Sequence, residues 1–86
     1  MNKRYVLRNS DGVRFTCVIA AGGNEDDRWK EVFALEPGCG YSAERWGDEV
    51  RIVDYFHGDV RARFAVLSVE ETEDAASSTL TRLTEE

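Results

Sequence analysis

Residues 3–21, KRYVLRNSDGVRFTCVIAA, decide the fold. Polar and apolar side chains alternate on both sides of a central turn, and a period of two is typical of half-buried strands. The turn is Asn9–Gly12, because Asn favours the first turn position and Gly the last. We therefore predict an antiparallel hairpin whose strands are Lys3–Arg8 and Val13–Ala21.

A helix is predicted after this hairpin. Asn24 is a good N-cap, and the acids that follow it suit the positive end of a helix dipole. Trp29, Val32 and Phe33 then share one helical face. Pro37 and its following glycine end the pattern, so the helix is expected to span residues 25 to about 35.

A second hairpin is predicted in the C-terminal half of the chain. Glu49–Phe56 is rich in β-branched and aromatic residues, His57–Asp59 forms the turn, and Val60–Val69 is the partner strand. Between the helix and this hairpin, Ser42–Trp46 is predicted to be a single helical turn closed by Gly47.

One register makes this second hairpin amphipathic. If Phe56 pairs with Val60, then Ile52 faces Phe64 and Val50 faces Val66, and a slip by one residue would scatter the apolar set. Only Asp54 breaks the pattern. The predicted apolar face consists of Val50, Ile52, Phe56, Val60, Ala62, Phe64 and Val66.

These elements define the expected fold class. We predict one small α+β domain with the order β-β-α-β-β, in which a four-stranded antiparallel sheet packs one helix on one face. Residues 1–69 are expected to form the folded body. Residues 70–86 are expected to be an acidic tail or a short helix, since Ala76, Leu80 and Leu83 have helical spacing.

The charge of the chain is concentrated at its C-terminal end. The net charge is −6, and residues 70–86 carry six acids and one base, whereas residues 1–69 carry eleven acids and ten bases. The body is therefore nearly neutral. The net charge of −6 argues against nucleic-acid binding, because non-specific affinity depends on neutralising phosphates. The near-neutral body, in turn, argues against a nucleic-acid mimic that uses its whole surface.

The sequence offers little for catalysis, cofactors or metals. His57 is the one histidine, and a pair with Cys39 would still need an orienting acid. Cys17 falls on the inward side of its strand, and two cysteines and one histidine fall short of a structural zinc site. Gly22-Gly23 lies between a strand and a helix but lacks a phosphate-loop motif. We predict no enzyme activity, no cofactor and no metal site.

The leading hypothesis is a small acidic protein-binding module. Small acidic proteins of mobile elements offer a class-level analogy, because such inhibitors present carboxylates to the basic groove of a nucleic-acid enzyme. A homodimer is compatible with this hypothesis. The predicted contact residues are Glu25, Asp26, Asp27, Asp48, Glu49, Glu70, Glu71, Glu73 and Asp74.

The alternative hypothesis is a nucleic-acid or anion binder. Outward strand positions are rich in arginine, and arginine beside an aromatic side chain suits phosphates and bases. The acidic tail would then regulate this face. Tyr41 and Trp46 are further aromatic candidates, either as binding anchors or as caps of the core. The predicted anion-binding face consists of Arg4, Arg8, Arg14, Arg51, Tyr55, Arg61 and Arg63.

The chain is expected to reside in the cytoplasm without a membrane partner. Its longest apolar run, Cys17–Ala21, is far shorter than the roughly 20 residues of a membrane helix. The N-terminus, Met1–Arg4, leads into an alternating segment and not into the apolar core of a signal peptide.

Overall fold

The computed structural model describes residues 1–84, which contain one α-helix and one six-stranded antiparallel sheet. The predicted α+β class with a single helix is confirmed, but the count of four strands is wrong. The spatial order of the strands is β3-β4-β5-β1-β2-β6. The elements are β1 (Asn2–Arg8), β2 (Arg14–Ile19), α1 (Glu25–Val32), β3 (Tyr41–Trp46), β4 (Glu49–Asp54), β5 (Val60–Thr72) and β6 (Thr81–Arg82).

The first hairpin forms as the alternation indicates. Tyr5 pairs with Cys17 and Leu7 pairs with Phe15, so these side chains point to the same side of the sheet. The Asn9 side-chain oxygen accepts the backbone N–H groups of Asp11 and Val13 at 3.0 and 2.9 Å, which fixes the turn between the strands.

Helix α1 packs across this side of the sheet. Trp29 is fully buried, and its ring meets Tyr5 edge-on at a centroid distance of 4.9 Å. Phe33 contacts Phe64 of β5 at the same separation. The helix ends before the predicted residue 35 because Ala34 adopts a left-handed φ of 57°, which stops the helical hydrogen-bond pattern.

The segment before β4 is a strand, so the predicted helical turn over residues 42–46 is wrong. Ala43 pairs with Ile52 and is completely buried on the helix side. Gly47, with a φ of 61°, starts a two-residue loop between Trp46 and Glu49. Pairing with β4 and contact with α1 outweigh the local helical preference of this segment.

The register of β4 on β5 differs by two residues from the prediction. Val50 faces Phe64 and Ile52 faces Ala62, and a bulge after Ile52 then brings Val53 opposite Val60. The strand ends at Asp54, and Phe56 lies outside it. A shift of two residues keeps Val50, Ile52 and Phe64 on the face that packs against the core. Phe56 is lost from the predicted apolar face, because it follows the end of the strand and is exposed.

The C-terminal region adds a strand and no helix within the described residues. Strand β5 continues beyond the second hairpin and pairs with β1 up to Thr72. Ser77 exchanges two hydrogen bonds of 2.8 Å with Val18, and the following β6 pairs with β2. Residues 77–83 therefore pass along the edge of β2. Glu85 and Glu86 lie outside the described residues.

Candidate functional site

Several of the predicted contact acids are held by partners inside the fold. The Glu25 carboxylate accepts the Tyr5 hydroxyl at 3.1 Å and lies 3.4 Å from Arg45. Glu49 accepts hydrogen bonds from Arg51 at 2.7 Å and Arg63 at 3.0 Å, and these bonds lower its pKa. Glu49 and Glu25 therefore have structural roles.

The tail acids divide into paired and unpaired groups. Arg4 of β1 forms ion pairs with both Glu70 and Asp74. Glu71 stands opposite Lys3 in the strand register, and no ion pair within residues 1–84 holds Glu71 or Glu73. The tail therefore retains exposed carboxylates after Arg4 is satisfied.

The helix start lies at the same end of the sheet as these tail acids. Asn2 joins the two regions, because its side chain accepts the N–H of Ala21 at 3.2 Å and donates to the carbonyl of Asp74 at 2.9 Å. Asp27 lies 3.7 Å from Lys30, and no ion pair within the described residues holds Asp26. We call Asp26, Glu71 and Glu73 the acidic end.

Asp48 and Glu49 lie apart from the acidic end. Asp48 occupies the loop between β3 and β4, where its carbonyl accepts the N–H of Val66 at 2.7 Å. The nine predicted contact acids therefore do not form one continuous surface. The structure brings together the members at the helix start and in the tail.

The predicted arginine face contains acids as well as arginines. On the side of the sheet opposite α1, Arg51 stands across from Glu44 on β3 and from Arg63 on β5. Arg8 and Arg14 stand opposite each other near the first turn, and Arg14 takes part in a further interaction. Three arginines of this predicted face nonetheless form ion pairs, Arg4 with Glu70 and Asp74, and Arg51 and Arg63 with Glu49.

Two members of the predicted arginine face lie elsewhere. Arg61 sits at the bulge of β5 and its guanidinium donates to Asp54 at 3.2 Å. Tyr55 follows the end of β4, and its N–H donates to the carbonyl of Gly40 at 2.9 Å. Both therefore belong to the β4–β5 turn and not to the open side of the sheet.

Asp54 organises the β4–β5 turn. Only 6% of this residue is exposed, and its carboxylate accepts the N–H groups of Phe56 at 2.9 Å and His57 at 3.3 Å. The His57 ring and the Arg61 guanidinium complete its partners at 3.1 and 3.2 Å. The His57 contact, with the bonds from Arg61 and the backbone, lowers the pKa of Asp54 to about 2.

This turn presents aromatic side chains to solvent beside the end of α1. Phe56 is 83% exposed and Tyr55 is 65% exposed, although their backbone is fixed by hydrogen bonds. A side chain at Gly40 would come within 2.7 Å of the Phe56 ring, so the ring lies directly over this glycine. Tyr41 is also exposed next to it.

A groove of about 530 Å³ runs between this turn and the end of α1. Its apolar lining includes Leu35 and Pro37 together with the exposed aromatic residues, and carboxylates lie among them. We call it the aromatic groove. Its aromatic members are Tyr41, Tyr55 and Phe56, and its acidic members are Asp27, Glu31 and Glu36. This site was not predicted from the sequence, because the alternating pattern placed Phe56 on the apolar face of the second hairpin.

The cysteines and the histidine do not form a pair. Cys39 is exposed and its thiol lies 3.8 Å from the carbonyl of Tyr41, whereas the His57 ring contacts Asp54. Burial raises the pKa of the Cys17 thiol to about 12. Across residues 1–84 the structure contains no group of three or more His, Cys, Asp or Glu side chains placed to hold a metal ion.

Trp46 lies on the open side of the sheet, away from the aromatic groove. Its ring is 56% exposed, and its N–H donates to Glu44 at 3.0 Å. The Arg51 guanidinium lies 5.3 Å from the ring centroid, which is a cation–π distance. Trp46 is therefore neither a cap of the core nor part of the groove.

No protein-family model matches the chain, and neither a curated protein nor a solved structure matches it. Helix α1, which is the one helix in the described part of the chain, lacks the length and apolarity to cross a membrane.

Proposed function

We propose that this chain is a non-enzymatic protein-binding module that presents carboxylates to a basic surface of its partner. The partner class that best suits this chemistry is a nucleic-acid-handling protein, whose phosphate-binding groove attracts carboxylates. In this role the chain is an inhibitor that occupies the groove in place of the nucleic acid.

The unequal pairing of charges is the observation that supports this proposal. Arg4, Arg51, Arg61 and Arg63 form ion pairs within the fold, whereas the carboxylates of the acidic end have no ion-pair partner in the described residues. The charge that remains available to another molecule is therefore mainly negative. Exposed, unpaired charges are those that contribute to steering and association.

The same pairing weakens the alternative of anion binding through the arginine face. A phosphate would have to compete with Glu49 for Arg51 and Arg63, and with Glu70 and Asp74 for Arg4. Phosphate contacts supply most of the non-specific affinity for nucleic acids. An arginine that already forms an ion pair with a carboxylate contributes less of this affinity.

The test neutralises the acidic end in the full-length chain. Deletion from residue 70 is unsuitable because it would cut β5 and remove β6. Charge-neutral substitutions keep both strands, and a control variant removes the same number of charges elsewhere. The test variant is Asp26→Asn, Glu71→Gln, Glu73→Gln, and the control is Asp11→Asn, Glu44→Gln, Asp59→Asn.

Each variant is used to capture partners from nuclease-treated lysate. The affinity of each variant for the captured protein is then measured by calorimetry. We expect the test variant to weaken binding at least about tenfold more than the control, and a short DNA duplex to compete with the parent chain. Equal loss of binding in both variants would show that binding depends only on net charge, and this would overturn the proposal. Direct binding of DNA by the parent chain would favour the arginine face.

A further inference from the structure

The aromatic groove is already formed in the free chain. Asp54 holds the backbone on both sides of Phe56, and Tyr55 is tied to the loop that precedes β3. The groove walls therefore need little ordering when a ligand binds. Aromatic side chains are among the residues that most often dominate the energy of protein interfaces, and a fixed backbone lowers the cost of ordering them.

The groove combines aromatic faces with a negative edge. Of its charged members, Lys30 is the only base, and Asp27 lies 3.7 Å from it. Glu36 has no ion pair within residues 1–84, and Glu31 is 60% exposed at its side chain while 3.5 Å from Arg28. The edge therefore keeps an excess of negative charge beside three aromatic rings.

We propose that the aromatic groove binds a partner segment in which an arginine or lysine stands next to an apolar residue. The cation would lie against the face of Tyr55 or Phe56 and towards Glu36, while the apolar neighbour would contact Leu35 and Tyr41. Cations are attracted to aromatic faces and to carboxylates, whereas an apolar segment alone leaves the acidic edge without a partner. This inference rests on the proposed function, because it assigns that function's partner a second contact beyond the acidic end.

Two synthetic peptides test the charge requirement. The first is acetyl-Gly-Ser-Arg-Leu-Gly-Ser-amide, and the second replaces arginine with citrulline, which has nearly the same shape and no charge. Each peptide is titrated into the ¹⁵N-labelled full chain while backbone amide shifts are followed. We expect the arginine peptide to shift the amides of Gly40, Tyr55 and Phe56, and the citrulline peptide to bind about fivefold more weakly.

Three single variants locate the binding site. Phe56→Ala removes a ring that is 83% exposed, and Glu36→Gln removes an exposed charge, so both should keep the dispersed spectrum of a folded chain. Each of these two variants is expected to weaken binding of the arginine peptide at least about threefold. Trp46→Ala removes an exposed ring outside the groove and should leave peptide binding unchanged.

The titration separates failure of this inference from failure of the proposed function. The inference is overturned if the two peptides bind equally, if Phe56→Ala binds like the parent, or if the shifts fall at Glu71 and Glu73 instead. It is also overturned if a captured partner is lost with the acidic-end variant but kept with Phe56→Ala. In that last case the proposed function still stands. Failure to capture a partner leaves the peptide result as an independent test of the groove.

Discussion

Removal of one hydroxyl group, in Tyr5→Phe, tests the polar link between α1 and the sheet. The Tyr5 ring is 1% exposed, and its hydroxyl donates to Glu25 at 3.1 Å and accepts from Arg45 at 2.8 Å. The ring itself packs edge-on against Trp29 at 4.9 Å. The substitution keeps the ring and removes only the two hydrogen bonds.

The expected cost follows from the exposure of the two charged partners. A hydrogen bond to a charged group is worth about 1.5–3 kcal/mol when its loss leaves that group buried. Glu25 and Arg45 are 44% and 29% exposed at their side chains and remain 3.4 Å apart, so water and their own ion pair replace part of the loss. We therefore expect Tyr5→Phe to lower the free energy of unfolding by about 1.5 kcal/mol.

Urea titration followed by circular dichroism measures this change, and thermal melting checks it. For a chain of this size, about 1.5 kcal/mol corresponds to a fall in Tm of roughly 6–12 °C. Tyr55→Phe is the matched control, since this ring is 65% exposed, and it should change stability by less than about 0.5 kcal/mol. A loss in Tyr5→Phe no larger than in the control would refute the link.

Two further predictions concern Asp54 and the cysteines. Because the pKa of Asp54 is lowered from 3.8 to about 2 in the folded state, its stabilising contribution is full above pH 3.8 and disappears as the pH falls towards 2. Asp54→Asn should therefore be less stable than the parent at pH 7, and urea titrations at decreasing pH should show this gap closing; a gap independent of pH would contradict the assignment. For the thiols, Ellman's reagent should react promptly at Cys39 alone in the native chain and at Cys17 only after unfolding, because Cys17 is buried and its pKa is about 12. Rapid modification of both thiols would show that β2 opens readily.

The parts of the fold that follow from local patterns were predictable. The first hairpin is specified by a turn whose Asn side chain closes it and by alternation on both sides. Strand β3 was not predictable in this way, because Ser42–Trp46 has no local strand pattern and becomes a strand only by pairing with β4. The extension of β5 to Thr72 likewise depends on β1, which lies far away in the sequence.

The register error has a specific chemical origin. The prediction placed the turn after Phe56 because an apolar residue was assumed to continue the buried face. In the structure Asp54 ends the strand, since its carboxylate accepts the next backbone N–H groups and is buried to do so. The polar residue that interrupted the apolar pattern was the available signal, and it marked both the turn and the exposure of Tyr55 and Phe56.

The availability of each charge for binding could not be predicted from the sequence. Arg4 and Glu70 are 66 positions apart, yet they form an ion pair because β1 and β5 are neighbours. Ion pairs within and between the elements of the fold occupy most arginines and some acids in residues 1–84, which makes these charges less available to another molecule. A net charge of −6 therefore describes the chain less well than the list of charges left unpaired by the sheet.

The two candidate contacts differ in what they can supply to an interface. Unpaired carboxylates at the acidic end accelerate association and favour basic partners, but surface charges add little affinity individually. The aromatic groove offers apolar area and aromatic rings on a fixed backbone, which slow dissociation once a partner is bound. If both contacts serve one partner, neutralising Asp26, Glu71 and Glu73 should act mainly on the association rate and its salt dependence. Phe56→Ala should act mainly on the dissociation rate, and equal effects of the two variants on both rates would contradict this division.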